Sequence, residues 1–153
     1  MGMIQTLNVE KQEAEKGPDQ KPKCGFMFLM RGPLGDITTA WVPIEVLEGK
    51  TVHVLNALIP YPGVIALTPM MPECVARLGV LRGVRFVSYV GHGDTVRILE
   101  ELLATTLGES KAKYTPQEGD IALVARLKGG GRGVGNVTGI TAESLEYWLA
   151  VYA

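Results

Sequence analysis

Residues 51–59, TVHVLNALI, form an almost unbroken run of apolar and β-branched side chains interrupted only by His53 and Asn56. A strand that faced water on one side would alternate apolar with polar positions, so this run requires cover on both faces of its sheet. Pro60 and the Pro62-Gly63 pair end it. Further along, residues 64–67 read as a short strand and residues 72–78, PECVARL, as a helix with Pro in its first turn. Residues 84–90, VRFVSYV, read as another strand. A helix then runs to about Leu107, with Val96, Leu99, Leu103 and Leu107 as its buried stripe, Arg97, Glu100 and Glu101 towards water, and Gly108 as its C-cap. Residues 111–114 extend briefly, 116–120 turn, and 121–127, IALVARL, form a strand. Residues 128–136, KGGGRGVGN, form a glycine loop. Thr141 then caps a short helix to about Glu146, and residues 147–152 close the fold as a strand. Strands alternating with helices predict a small α/β sandwich built on a mixed β-sheet flanked by helices.

Before this unit, residues 1–22 alternate in charge with few large apolar side chains and read as a mobile tail. Residues 24–30 and 37–42 are β-prone and flank the turn sequence RGPLGD, which predicts a hairpin within residues 23–50, serving as an added sheet edge or a partner contact. The organisation expected is therefore tail, hairpin, and an α/β domain over residues 51–153. Cys24 and Cys74 stand fifty positions apart with no CxxC spacing and no secretory leader, so two buried thiols in a reducing cytosol is the plain expectation.

Charge narrows the partners. The 153 residues carry 15 Lys and Arg against 16 Asp and Glu. A balance so close to neutral argues against a broad grip on long nucleic acid, while leaving room for a small anion held by a local basic cluster. His53 and His92 have no cysteine or carboxylate at ligand spacing, so neither a metal nor a cofactor is expected. Apolar stretches stop well short of the roughly 20 residues that span a bilayer, which predicts no membrane insertion and a cytoplasmic protein.

The junction Gly91-His92-Gly93-Asp94-Thr95 carries the most chemistry. It sets an imidazole at a helix amino end, where free backbone N–H groups favour anions and disfavour imidazolium. Asp94 or Thr95 can cap the helix and leave His92 free as a proton donor beside a phosphate. A ring that merely pads a tight turn is the alternative for His92, and a structural role is expected for His53 in its apolar strand. In the glycine loop, backbone amides can come close to an anion and Arg132 offers a planar fork, with Arg126 and Lys128 nearby, a disordered surface loop being the alternative. As a dinucleotide fingerprint the loop fails, because no full βαβ unit follows it. A solvated face is the ordinary fate of Lys111 and Lys113.

Three motifs occur in order: Val54-Leu55-Asn56-Ala57-Leu58-Ile59, Phe86-Val87-Ser88-Tyr89-Val90-Gly91-His92 leading into Asp94-Thr95, and Gly119-Asp120-Ile121-Ala122-Leu123-Val124. Together they resemble the viral type III anti-CRISPR ring nucleases and their CRISPR-associated relatives over about residues 51–153. The resemblance implies a homodimer that binds cyclic tetra-adenylate in a cleft on the two-fold axis and cuts it without metal. It casts His92 as the general acid that protonates the departing 5′ oxygen while the adjacent 2′-hydroxyl attacks phosphorus. The product it implies is linear di-adenylate ending in a 2′,3′-cyclic phosphate. Arg132, with Arg126 as the other choice, would offset charge on the scissile phosphate; Lys111 would supply a second cation and Asn56 the pocket floor, while Gly91, Gly93, Asp94 and Thr95 complete the substrate contacts. Where the family commonly continues its arginine with Leu-Pro-Glu-Gly, this chain has Gly133-Val134-Gly135-Asn136. The missing carboxylate favours a protein that sequesters the nucleotide, whereas His92 favours one that cleaves it. A scaffold that uses the hairpin as a protein contact is the third class of function.

Overall fold

The structure, a computed structural model, describes residues 24–128 and 140–153. The 1–22 tail and most of the glycine loop, including Arg132, lie outside the described residues.

Among the described residues, seven strands and two α-helices follow one another as β1 (Gly25–Arg31), β2 (Ile37–Pro43), β3 (Thr51–Leu55), β4 (Ile65–Met70), α1 (Pro72–Gly79), β5 (Arg85–Ser88), α2 (Gly93–Leu103), β6 (Ile121–Leu127) and β7 (Leu145–Tyr152). Short 3-10 turns stand at Ile44–Leu47 and Ala142–Ser144. Five strands form one mixed sheet in the order β4-β7-β6-β3-β5. Within it β3 is parallel to both β5 and β6, while β7 is antiparallel to β6 and β4. This is the α/β class with a mixed sheet that the alternation of strands and helices predicts.

One face of the sheet carries the main core. Val52, Val54, Leu123, Leu149 and Val151 point into it, and Val75, Leu78, Leu99 and Leu103 of the two helices meet them there. A fully buried leucine of this kind contributes on the order of 2 kcal/mol relative to exposure. The helices do not cover the whole face. Phe26 and Leu29 of the hairpin join the same core, and Met27 N donates to Thr68 Oγ1 at 2.9 Å, which seats the hairpin against β4. The hairpin pairs only within itself, as a two-stranded sheet, so it is not an added edge of the large one. It acts as the third member of the covering layer.

The other face is covered by loop side chains. Leu55, Ala122, Val124, Ala150 and Tyr152 lie beneath Tyr114, with Ile59 and Tyr61 packed alongside. Ala122 and Ala150 leave room for the aromatic layer because their side chains are short.

Several local expectations change in the folded chain. The two cysteines are not free thiols: Cys24 and Cys74 form a disulfide with Cα atoms 5.4 Å apart. Packing of β1 beside α1 brings them together, a proximity that fifty residues of separation conceals. The run 51–59 stops as a strand at Leu55, and β4 extends past Leu67 to Met70. Pro69 is tolerated in it because β4 is an edge strand. Residues 111–114 form no strand. Thr141 does cap, with N–H and hydroxyl both engaging Ser144, yet only the turn Ala142–Ser144 follows; alternating burial of Leu145, Tyr147 and Leu149 draws the chain into β7. Helix α2 ends at Leu103, four residues short of Leu107, with Ala104 taking the left-handed C-cap at φ 54° in place of Gly108.

Gly79 ends α1 where it meets the last residue of α2, and a Cβ there would collide with the Leu103 backbone. Gly79→Ala is therefore expected to cost about 1–3 kcal/mol through forced separation of the helices, read from the urea midpoint; an unchanged midpoint would refute that crossing. The disulfide closes a span of 50 residues. Removing both cysteines as alanines should lower stability by about 4 kcal/mol on a chain-entropy reckoning, and equal stability with and without reductant in the parent would show the bridge absent.

Candidate functional site

Parallel pairing fixes the place of the site. Val54 stands opposite Ser88, and Tyr89 N donates to the Val54 carbonyl at 2.9 Å, so β3 and β5 end side by side at their carboxyl ends. Asn56 leaves one and Gly91-His92 the other. The carboxyl ends of parallel strands are where open α/β sheets receive ligands.

His92 occupies the N-cap of α2, and its carbonyl accepts from Val96 N at 3.0 Å. Its extended backbone, φ −101° and ψ 114°, suits that role, and its side chain makes no capping hydrogen bond. The ring is exposed. This corrects the expected cap: Asp94 and Thr95 lie inside the first turn, and neither caps the helix. Asp94 Oδ1 lies 3.9 Å from Arg97 Nη2, and Thr95 is buried beneath the turn. Among the described residues, the first-turn N–H groups of α2 thus have no side-chain cap, and the imidazole beside them makes none.

The chain returns to this end after α2. Leu107 N and Gly108 N donate to Glu100 Oε2 at 2.8 and 2.9 Å, and Ser110 N donates to the Val90 carbonyl at 2.8 Å. Glu100, expected towards water, is instead the clasp of the returning segment. Those two backbone hydrogen bonds hold its carboxyl below the ordinary value of 4.5. The Ser110 carbonyl lies against Gly91, and exposed Lys111 is the next residue of the segment. Glu109 arrives there too, with its carboxylate against Gly93. Nothing in the local sequence marks Glu109, because only the return of the chain sets it beside the helix.

Arg126 is placed differently. It lies on β6, two residues past the Leu55–Val124 pair, with Nε 3.7 Å from Glu146 Oε2 and Cζ 5.1 Å from the centre of the Trp148 ring. Its guanidinium is thus engaged with β7, and the structure does not bring it to His92. Arg132 lies outside the described residues. Two hollows of about 490 Å³ each lie elsewhere, one along Arg97 and Glu101 of α2 and one between Met71 and Trp148.

A second polar group sits under the loop-covered face. Tyr114 donates to Asp120 Oδ2 at 2.7 Å, Gln117 N donates to the same oxygen at 3.0 Å, and His53 Nε2 lies 4.0 Å from it. Burial first, and then the Asp120 carboxylate, push the Tyr114 phenol well above its ordinary range. His53 stacks obliquely on Tyr114 with ring centres 4.7 Å apart. Its Nδ1 is buried without a hydrogen-bond partner, as is the Tyr152 hydroxyl, so the structural role expected of His53 is filled with one polar atom left over.

Among the described residues, no group of three His, Cys, Asp or Glu side chains is arranged to hold a metal ion, and no helix is long and apolar enough to cross a membrane. A family model described as STIV B116-like matches residues 52–148. The chain belongs to the STIV B116-like family. A solved structure, B116 of Sulfolobus turreted icosahedral virus, aligns with 67% of this chain and 99% of its own length, at a TM-score of 0.52 and 16% identity. At that identity the likeness shows a shared fold. No protein of curated function is recognisably similar in sequence. In this B116-like chain the family match begins at β3 and ends within β7, so it contains the His92 junction and leaves the hairpin outside.

The Glu100 clasp has a pH signature. A carboxylate whose value is lowered on folding contributes stability above its unfolded value of 4.5, and that contribution is lost as pH falls through the lower folded value. Glu100→Gln should melt at a lower temperature than the parent at neutral pH, with the gap closing in acid. A gap that persists unchanged at acid pH would show that the clasp is not ionic.

Proposed function

We propose that this B116-like protein binds cyclic oligoadenylate, taken as cyclic tetra-adenylate, and opens it without metal, so lowering the messenger of type III CRISPR defence. The observation that carries the reading is an exposed His92 ring at a helix amino end with no capping duty. A phosphate on the first-turn amides would set a ribose 5′ oxygen within reach of that ring.

The chemistry asks little more of the protein. The 2′-hydroxyl of the preceding ribose attacks phosphorus in line, the bond from O2′ to phosphorus forms and the bond to O5′ breaks. His92 donates a proton to O5′, and the hydroxyl proton passes to solvent. Two such cuts give linear di-adenylates with 2′,3′-cyclic phosphates. No external nucleophile is required, so catalysis consists of positioning, charge stabilisation and one proton transfer.

A single chain leaves His92 on open surface, and a second copy would supply the facing wall and double the local cation count. A homodimer with the ring on its two-fold axis is therefore part of the reading. Asn56, Gly91, Gly93 and Lys111 would line each half. Because Arg126 is held by Glu146 and Trp148, the role of stabilising the scissile phosphate falls to Arg132.

Sequestration without cleavage is the second reading, favoured by Gly133-Val134-Gly135-Asn136 where ring nucleases commonly place a carboxylate. Purified protein incubated with cyclic tetra-adenylate in EDTA should release di-adenylate. His92→Ala should reduce the rate by about 10²–10⁴-fold while retaining binding, and Arg132→Ala should weaken binding more than Arg126→Ala. Binding without turnover in the parent would select sequestration, and equal rates in parent and His92→Ala would remove His92 from the mechanism.

A further inference from the structure

We propose that Glu109 sets the charge preference of this site, so that it takes phosphodiesters ahead of phosphomonoesters. The proposal rests on the reading of the α2 amino end as the seat of a ring phosphate. Glu109 is carried there by the returning chain, between Gly108, which donates to Glu100, and Ser110, which donates to Val90. Its carboxylate then lies against the first residue of the helix: a Cβ on Gly93 would stand 3.3 Å from Oε2 and 3.4 Å from Cδ. Gly93 permits this approach because it has no side chain.

The nearby charges make the carboxylate consequential. Asp94 is drawn towards Arg97 at 3.9 Å, whereas Glu109 enters no ion pair among the described residues. A helix amino end presents about half a positive charge. With Glu109 beside it, that half charge is offset in part, and Lys111 remains the cation next along the segment. A phosphodiester, with one negative charge, is still accommodated by the first-turn amides. A terminal phosphomonoester approaches two charges at neutral pH, and the second is set against the Glu109 carboxylate.

Every phosphate of a cyclic oligoadenylate is a diester, whereas abundant nucleotides such as AMP and ATP end in a charge-rich terminal phosphate. Glu109 would thus admit the ring and turn away the common pool, at some cost in affinity for any anion.

The test uses His92→Ala protein, in which the ring stays intact, with labelled cyclic tetra-adenylate displaced by linear di-adenylate bearing either a 5′-hydroxyl or a 5′-phosphate. With Glu109 present the phosphorylated competitor should be the weaker one. Adding Glu109→Gln should tighten the phosphorylated competitor by about threefold to fivefold, the scale of one charge at a helix end, and change the unphosphorylated one less than about twofold. Glu109→Asp, which keeps the charge, should retain the preference. An unchanged competitor ratio in Glu109→Gln overturns the role of Glu109 while leaving the nucleotide reading intact. Failure of the ring to bind the His92→Ala protein and the parent alike overturns that reading and this proposal with it.

Discussion

Side-by-side parallel pairing of β3 with β5 and of β3 with β6 is the constraint on which the site depends. Parallel neighbours end at the same edge of a sheet, and each needs a crossover to return, so the chain is committed to helices on one face and to a shared carboxyl edge. Helix α2 is the crossover from β5 to β6, passing over β3. Its amino end therefore begins at that edge, to which Asn56 also leads, and His92, four residues past the end of β5, is its N-cap. A different strand order would keep the same local motif and scatter its neighbours.

Covering the sheet explains the parts of the chain that chemistry does not use. Two helices of eight and eleven residues are too few to shield five strands. The hairpin completes the layer over β4 and β7, tied to α1 through Cys24–Cys74 and through the ion pair of Arg77 with Glu45 at 2.6 Å. On the opposite face no helix of the described residues arrives, and aromatic rings from two loops lie over alanines instead. The Tyr114–Asp120 hydrogen bond anchors that cover at its polar end. Packing on both faces sets the β5–α2 junction between two covered layers.

Much of this was legible in the linear chain. β-prone runs bounded by turn residues located β1, β2, β5 and β6, Pro72 in a first turn located α1, and the stripe of Val96, Leu99 and Leu103 located α2. The Gly-His-Gly-Asp-Thr junction was legible for the same reason: strand end, helix start and polar residues between them are neighbours in sequence. Less legible were ends decided by packing. Helix α2 stops at Leu103 since Glu100 captures the next turn, and the capture requires residues seven and eight positions away to fold back. Arg126 looked available from its place after a run of apolar residues, and only β7 shows what it stacks upon.

What the sequence alone determined is therefore most of the strands and both α-helices of the described residues, the mixed α/β class and the imidazole at the head of a helix, which follow from side-chain chemistry within about ten residues, together with the near-neutral charge, which is a sum over the chain. Tertiary structure alone decided the joining of two cysteines fifty positions apart, the use of the hairpin as a third covering element, the engagement of Arg126 with Trp148, and the arrival of Glu109 beside Gly93. Each of these is a contact between segments whose separation along the chain carries no periodic signal, so it comes into being only when the sheet order brings them together.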